Sequence, residues 1–503
     1  MKHPFSSRLV GILIAVLFCI PATPVLADHP TPHITNPVPH ATGNPLNITI
    51  TTTTIRSLDK NLKNPSFQVT VLINGESYQS PIWKNTPYVY EPWTTTYHAT
   101  TADKWINITM LLTDTNTGKL CDLSPCHEQS DKYNDTVANL NYNTWVGHWV
   151  GDDYAFWWDE GHDGNSYDIY PSEDPSGYGH LNGCDDGSIN QHDNDAELYF
   201  TITQDTPAPD GIPYWVKTAI YHLNATTDYT GYDPNGDGIP LTYDWLWGTD
   251  PFGASNAAAD PDNDGLNTTK ELRVSQWGSD PYHPDIYVEL DHMADSPRGE
   301  KSNLPQESKE MIRTSFAQHN YELHIDDGSM GGGEVIPFQE NLSWDTMGSV
   351  YLNYFLHGNL SNWRRGIFRY GVVVYEAGYA GYNFWNGVVP YFDCFQISSK
   401  RVDKKVIPST LHKQALAYGS VYMHELGHNI GLNDFAGIDN QQNAFPWMKD
   451  WWKFLPYKSC MNYAYTYNLI GYSDGRHGKN DYDDWGHFNL PRFQEVLQFH
   501  HHP

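Results

Sequence analysis

The chain has 503 residues, with 60 acidic against 30 basic side chains and a formal net charge of −30. Apolar residues make up 39% and aromatics 14%. That is enough for several cores, which excludes wholesale disorder and leads to an expectation of two to four domains at about 150 residues each. The acidic balance argues against nucleic acid as a partner, because a polyanion is repelled. It suits a protein that collects hard cations on carboxylates.

Lys2 and Arg8 precede an apolar run from Leu9 to Ile20, and Val25-Leu26-Ala27 stands before Asp28. A basic start, a short apolar middle and a small residue before a cut predict a secretory signal over 1–27. No later apolar run is long enough to cross a membrane. The expectation is an exported monomer, extracellular or held at the cell surface. In an oxidising compartment Cys121 with Cys126 closes a short loop and Cys394 with Cys460 a long one, leaving Cys184 unpaired.

Residues 28–205 read as a β-sandwich. Asn47–Ile55, Phe67–Ile73, Trp105–Leu112 and Glu197–Ile202 alternate apolar and polar residues, with Gly, Pro, Asn and Asp clusters between them. Asp185, Asp186, Asp193 and Asp195 crowd the loop before the last of these strands. Either a cation or solvent must relieve their repulsion.

Residues 206–284 read as a calcium-binding segment. Asp233-Pro-Asn235-Gly-Asp237-Gly238 opens a twelve-residue loop that closes at Asp244. Asp260-Pro-Asp262-Asn-Asp264-Gly265 opens a second that closes at Glu271. Alternate positions turn oxygen atoms to one centre, the glycine permits the sharp turn, and the twelfth residue adds a carboxylate. Trp247-Gly-Thr-Asp250-Pro and Trp277-Gly-Ser-Asp280-Pro follow the two loops, so the segment is an internal repeat with a period near 27 residues. It resembles thrombospondin type 3 calcium repeats, which implies two or more structural calcium ions.

Residues 285–503 alternate strands and helices. Asp285–Leu290, Tyr321–Ile325 and Gly371–Tyr375 read as strands. Pro305 starts an amphipathic helix with Met311, Ile312 and Phe316 on one face, and Leu411–Ile430 is the longest helical pattern. That helix ends in His424-Glu425-Leu426-Gly427-His428. Residues four apart share a helix face, so the two histidines can hold one zinc ion, with Glu425 beside them as general base toward a water. Gly431 allows a left-handed stop, after which the reversed chain brings Asp434 under the metal as third ligand, with Asp439 as next choice. Three ligands leave a position open, as in catalytic zinc sites. Ser459-Cys460-Met461-Asn462-Tyr463 follows.

HExxHxxGxxD followed by such a turn resembles the metzincin clan of zinc endopeptidases, with an aspartate as in snapalysins and a Met-Asn-Tyr turn as in pappalysins. The resemblance covers about the last 200 residues. It implies an α+β protease domain, one catalytic zinc, Met461 as an apolar floor beneath the histidines, and Tyr463 near the metal as a donor to the oxyanion. Gly378–Tyr382 precedes the helix as a substrate-lining edge strand would. Two functions follow. One is a secreted, calcium-stabilised zinc endopeptidase acting on proteins or peptides. The other is an extracellular calcium-binding adhesion or surface protein with an inactive protease-like domain. The intact Glu425 favours the enzyme. A bridge between Cys394 and Cys460 would brace the Met461 turn, and Cys184 as a latency thiolate on the zinc is the competing use of a cysteine.

Overall fold

Strict alternation gives each N-terminal strand one face to bury. The computed structural model describes residues 46–59, 64–100, 103–123, 136–153, 156–159, 168–171, 179–184, 194–342, 344–385, 390–406 and 409–495. The expected signal segment, Cys126, Asp185, Asp186 and Asp193 lie outside them. The long strands of the first part are Leu46–Ser57 (β1), Phe67–Ile73 (β2), Trp93–Ala99 (β3), Trp105–Asp114 (β4), Ala138–Asn143 (β5) and Ala196–Gln204 (β6). β1 pairs antiparallel with β6 on one side and β3 on the other. β4 pairs antiparallel with β2 and β5 in a second sheet. Ile48, Ile50 and Ile55 from the first sheet and Val69, Val71, Ile106, Ile108 and Leu112 from the second share one core.

The middle segment carries two short helices, Leu241–Trp247 (α1) and Thr268–Val274 (α2). Each begins inside one of the twelve-residue loops and carries its closing acid, Asp244 or Glu271, so the sequence repeat is a structural repeat. Gly248 ends the first copy at φ 66° and Gly278 the second at φ 103°. A 3₁₀ turn, Ser275–Trp277, is inserted in the second copy alone, which is why the two Asp-Pro tails stand further apart than the two loops. The segment is joined to the first part. Trp215, Val216 and Leu241 pack on Val146, and the Trp245 indole donates to the Val146 carbonyl at 2.8 Å.

The third part is built on a mixed sheet. Its elements are Asp285–Met293 (β7), Gln306–Ala317 (α3), Glu322–Asp326 (β8), Phe368–Val374 (β9), Gly381–Trp385 (β10), Pro390–Ser398 (β11) and Leu411–Asn429 (α4). The strand order is β8-β7-β9-β11-β10. The first four are parallel, and β10 is antiparallel to β11 at the edge. On one face Ile286, Val288 and Leu290 meet Ile312 and Phe316 of α3 and Val421, Tyr422 and Leu426 of α4. On the other, Tyr287, Tyr370, Val372 and Val374 meet Met347, Tyr351 and Phe355. The chain is therefore a multidomain α+β protein.

The first and third parts meet through buried polar groups. The Arg56 guanidinium pairs with Glu197 at 2.7 Å and with Glu310 of α3 at 3.0 Å. Tyr90 donates to Glu310 at 2.6 Å, and Asn182 to the Ala317 carbonyl at 2.9 Å. These contacts fall at the β8 side of the sheet, the opposite edge from β10. Among the described residues, no helix is long and apolar enough to cross a membrane.

Neither expected disulfide forms. Cys121, Cys394 and Cys460 are free. Cys394 packs with the side chains on the far face of the sheet and Cys460 with those on the α3/α4 face, so the sheet separates the two thiols. Cys121 is buried in the core of the first part. Cys184 is disulfide-bonded. It is neither unpaired nor able to offer a thiolate to a metal.

Candidate metal centre

The Thr410 hydroxyl oxygen accepts the Lys413 amide at 3.2 Å and starts α4. The helix crosses the sheet core and stops where Gly431 adopts φ 108° and the Leu432 amide returns to the Gly427 carbonyl at 2.9 Å. His424 and His428 lie on one face of its last turns, their ring centroids 5.0 Å apart. Nδ1 of His424 is 2.9 Å from the Cys460 carbonyl, and Nδ1 of His428 is 2.9 Å from the Leu432 carbonyl. A carbonyl can only accept, so each Nδ1 carries a proton, and each Nε2, once free of its own proton, presents a lone pair to one point.

A carboxylate also reaches that point, and it belongs to Asp439. Its oxygens are 3.0 Å from His424 Nε2 and 3.2 Å from His428 Nε2. Ligands at 2.0–2.1 Å around a tetrahedral zinc lie about 3.3 Å from one another, so the two nitrogens and the carboxylate fit that ion. Asp434, expected as third ligand, is exposed and is not in the group. The reason is the path of the chain. Phe435 inserts among Phe454, Tyr457 and Tyr482, with ring centroids 4.7–5.6 Å away. The backbone returns only at Asp439, which has φ 52° and whose amide donates to the Met461 carbonyl at 3.4 Å.

The cluster attracts positive charge. Partial desolvation works against ionisation of Asp439, but the two imidazoles outweigh it and hold its carboxyl far below the usual range. Burial pushes His424 down, and Asp439 more than reverses this, to about 9. A divalent cation and a proton compete for the same Nε2.

Glu425 is 6% exposed, and burial pushes its carboxyl up to about 7, against the pull of His424 and His428. It faces β10. A side chain at Gly381 would collide with the Glu425 carboxylate, and the Asn383 amide donates to the Glu425 carbonyl at 3.3 Å. The edge strand thus lies directly against the candidate base. In the sequence Gly381 is only one residue of the Gly/Tyr-rich run 378–382. Its position beside the base depends on the sheet.

Met461 is fully buried, and a Cβ on Gly427 would sit 2.6 Å from its sulfur. The helix therefore rides close on an apolar floor. The Tyr463 ring stacks on His424, with centroids 5.7 Å apart and planes 13° apart. Burial raises its phenol, and a hydrogen bond to Asp439 adds to this.

The two acidic loops differ in detail. In the first, Asp233 caps the amides of Gly236 and Gly238 at 2.7 and 2.8 Å, and Asp237 accepts from Ile239 at 2.9 Å. The Asn235 side-chain oxygen accepts from Asp237 at 3.2 Å. Asp244 is buried, with Thr249 on one oxygen and no hydrogen-bond partner on the other. Burial pushes it up to about 7, and Asp237 and Asp233 add to this. In the second loop ligand atoms of Asp260, Asp262 and Asp264 lie within 4.8 Å of one another. Asp260 Oδ1, Asp262 Oδ2 and Glu271 Oε1 are buried without hydrogen-bond partners. All-oxygen donor sets with orphaned carboxylate oxygens fit calcium.

No family model matches the chain, and no curated protein matches it. Among solved structures it is similar to the paired C2 domains of Extended-Synaptotagmin 2, at 8% identity and a TM-score of 0.16, over 32% of this chain and 41% of that one. It is also similar to human GIVD cytosolic phospholipase A2 in complex with methyl gamma-linolenyl fluorophosphonate. That match has 9% identity and a TM-score of 0.14, over 32% of this chain and 17% of that one. The chain spans less than half the length of either. At these TM-scores neither likeness bears on what the chain does.

Proposed function

We propose that the chain is a secreted, calcium-stabilised zinc endopeptidase. The observation that carries the reading is the convergence of His424 Nε2, His428 Nε2 and Asp439, whose ligand atoms lie within 4.8 Å of one another. Glu425 is next to the first of them in sequence, and the edge strand β10 lies against it. The motif likeness to metzincins and the duplicated calcium-type loops support the same reading.

Zinc held by these three residues would polarise a peptide carbonyl and acidify the attacking water. Glu425 takes the proton of that water and passes it to the leaving amine. Burial of Glu425 favours its protonated form, which suits a group that must accept a proton and then return it. Tyr463, within reach of Asp439, donates to the oxyanion as it forms. An extended substrate adds to the free side of β10 through backbone hydrogen bonds, which presents its scissile bond beside Glu425. Export rests on the layout of 1–27.

The test is casein hydrolysis by the full chain, with and without a zinc chelator, beside Glu425→Gln. Gln keeps the size but cannot take the proton, so the variant should retain zinc and lose about two to four orders of magnitude in rate. A variant within a few-fold of the parent removes Glu425 as the base. A zinc-loaded parent with no peptidase activity would favour the surface-protein reading.

A further inference from the structure

The second loop does not end with its own twelve residues. Glu271, at its closing position, is 0% exposed. Ser279 donates to one of its oxygens, and the other has no partner. Glu271 faces Asp285, the first residue of β7, which is also buried. Ligand atoms of Asp264, Glu271 and Asp285 lie within 4.8 Å of one another. Oxygens on opposite sides of a calcium ion bound at 2.3–2.6 Å are about 5 Å apart, so the spacing suits that ion. The backbone amide of Asp285 donates to Asp264 Oδ2 at 2.8 Å, which locks the strand to the loop. His324 Nε2 lies 2.5 Å from Asp285 Oδ1 and holds its orientation.

Charge leaves this group incomplete. Asp260 and Asp262 adjoin it through Asp264. Among the described residues no lysine or arginine forms an ion pair with any of these five carboxylates. Lys270, which donates to the Gly265 and Gly366 carbonyls, and Arg369 act on these carboxylates only at longer range.

We infer that the second repeat holds two calcium ions, one within the loop and a second between Asp264, Glu271 and Asp285 that ties the repeat segment to the first strand of the zinc-domain sheet. The inference rests on the calcium reading of the second loop. Its consequence is that calcium orders β7 itself, which lies between β8 and β9 beneath the helices of the zinc centre.

Calcium bound per chain, measured by equilibrium dialysis with radiocalcium on the full protein, tests it. Asp285→Asn should bind one equivalent fewer than the parent, and Glu271→Gln, whose carboxylate also closes the loop, at least one fewer. Parental stoichiometry in both would overturn the second position. Asp262→Asn reports the loop ion separately: if it loses no calcium, the loop reading itself fails. If neither the Asp285 nor the Glu271 variant folds, hydrogen exchange on the parent decides. Calcium removal should speed exchange of the Asp285–Val288 amides at least tenfold, and unchanged protection would overturn the inference.

Discussion

The histidine–carboxylate cluster on α4 and the second acidic loop both gather carboxylates, but in opposite electrostatic condition. In the α4 cluster one carboxylate, Asp439, is half-exposed and shared by two imidazoles whose Nδ1 atoms face backbone carbonyls. Without a cation, protons on the Nε2 atoms hold it in place, and a cation would take the place of those protons. In and beside the second acidic loop Asp264, Glu271 and Asp285 are buried, and burial raises all three; repulsion from neighbouring carboxylates adds to this, for Asp264 from Asp260 and for Glu271 and Asp285 from each other's neighbours in the cluster. Protons or cations must hold them together. One site should lose function when its ion is removed. The other should lose structure.

The largest effect expected is on the zinc side. Asp439→Ala should carry little zinc and no activity. Asp434→Ala, at an exposed position, should keep both within about twofold, as surface changes usually do. Elemental analysis and casein hydrolysis of the two variants separate them. Full zinc in Asp439→Ala would reverse the assignment.

Calcium removal comes next. At calcium concentrations of about a hundred to a thousand times Kd, bound ion contributes about 3–4 kcal/mol per site. A calcium-selective chelator should therefore open new cleavages between residues 230 and 285 in limited proteolysis, and a zinc-selective one should open none there. Identical digestion patterns would erase the contrast between the two sites.

Tyr463→Phe sharpens the zinc side. Loss of an oxyanion donor should lower kcat by about a hundredfold with KM unchanged. A kcat within twofold would leave the tyrosine a packing partner of His424.

The smallest effect concerns pH. Asp244 and the second-loop carboxylates have folded pKa values above their ordinary range, Asp244 at about 7. The calcium-free native state then binds more protons than the unfolded chain between about 4 and 7, so its stability falls as pH rises through that window. Asp244 alone should make the calcium-free protein about 2 kcal/mol more stable at pH 5.5 than at pH 8, by denaturant melts of the parent against Asp244→Asn. Saturating calcium should abolish the trend.

Much of this was legible one segment at a time. β2 runs over Phe67–Ile73 as its alternation predicts, and α4 ends within a residue of its expected limit. Two histidines four apart on a helix must share a face, and a D-x-N-x-D-G run must turn on itself. Neither requirement involves the rest of the chain.

What needed the tertiary structure are the residues whose role depends on where a distant segment passes. Asp439 replaces Asp434 because Phe435 is drawn into an aromatic cluster with Phe454, Tyr457 and Tyr482, and the loop returns late. Cys394 and Cys460 remain thiols because a sheet lies between them. Gly381 matters because β10 runs against Glu425, and Asp285 because β7 begins beside the second loop. By itself the sequence determined the local geometry: strand alternation, helix faces and loop turns, all set by backbone sterics over a dozen residues or fewer. Only long-range packing decided which third carboxylate meets the histidines and which strand closes the calcium loop, because burial of aromatic and apolar side chains sets those approaches and no short-range pattern encodes them.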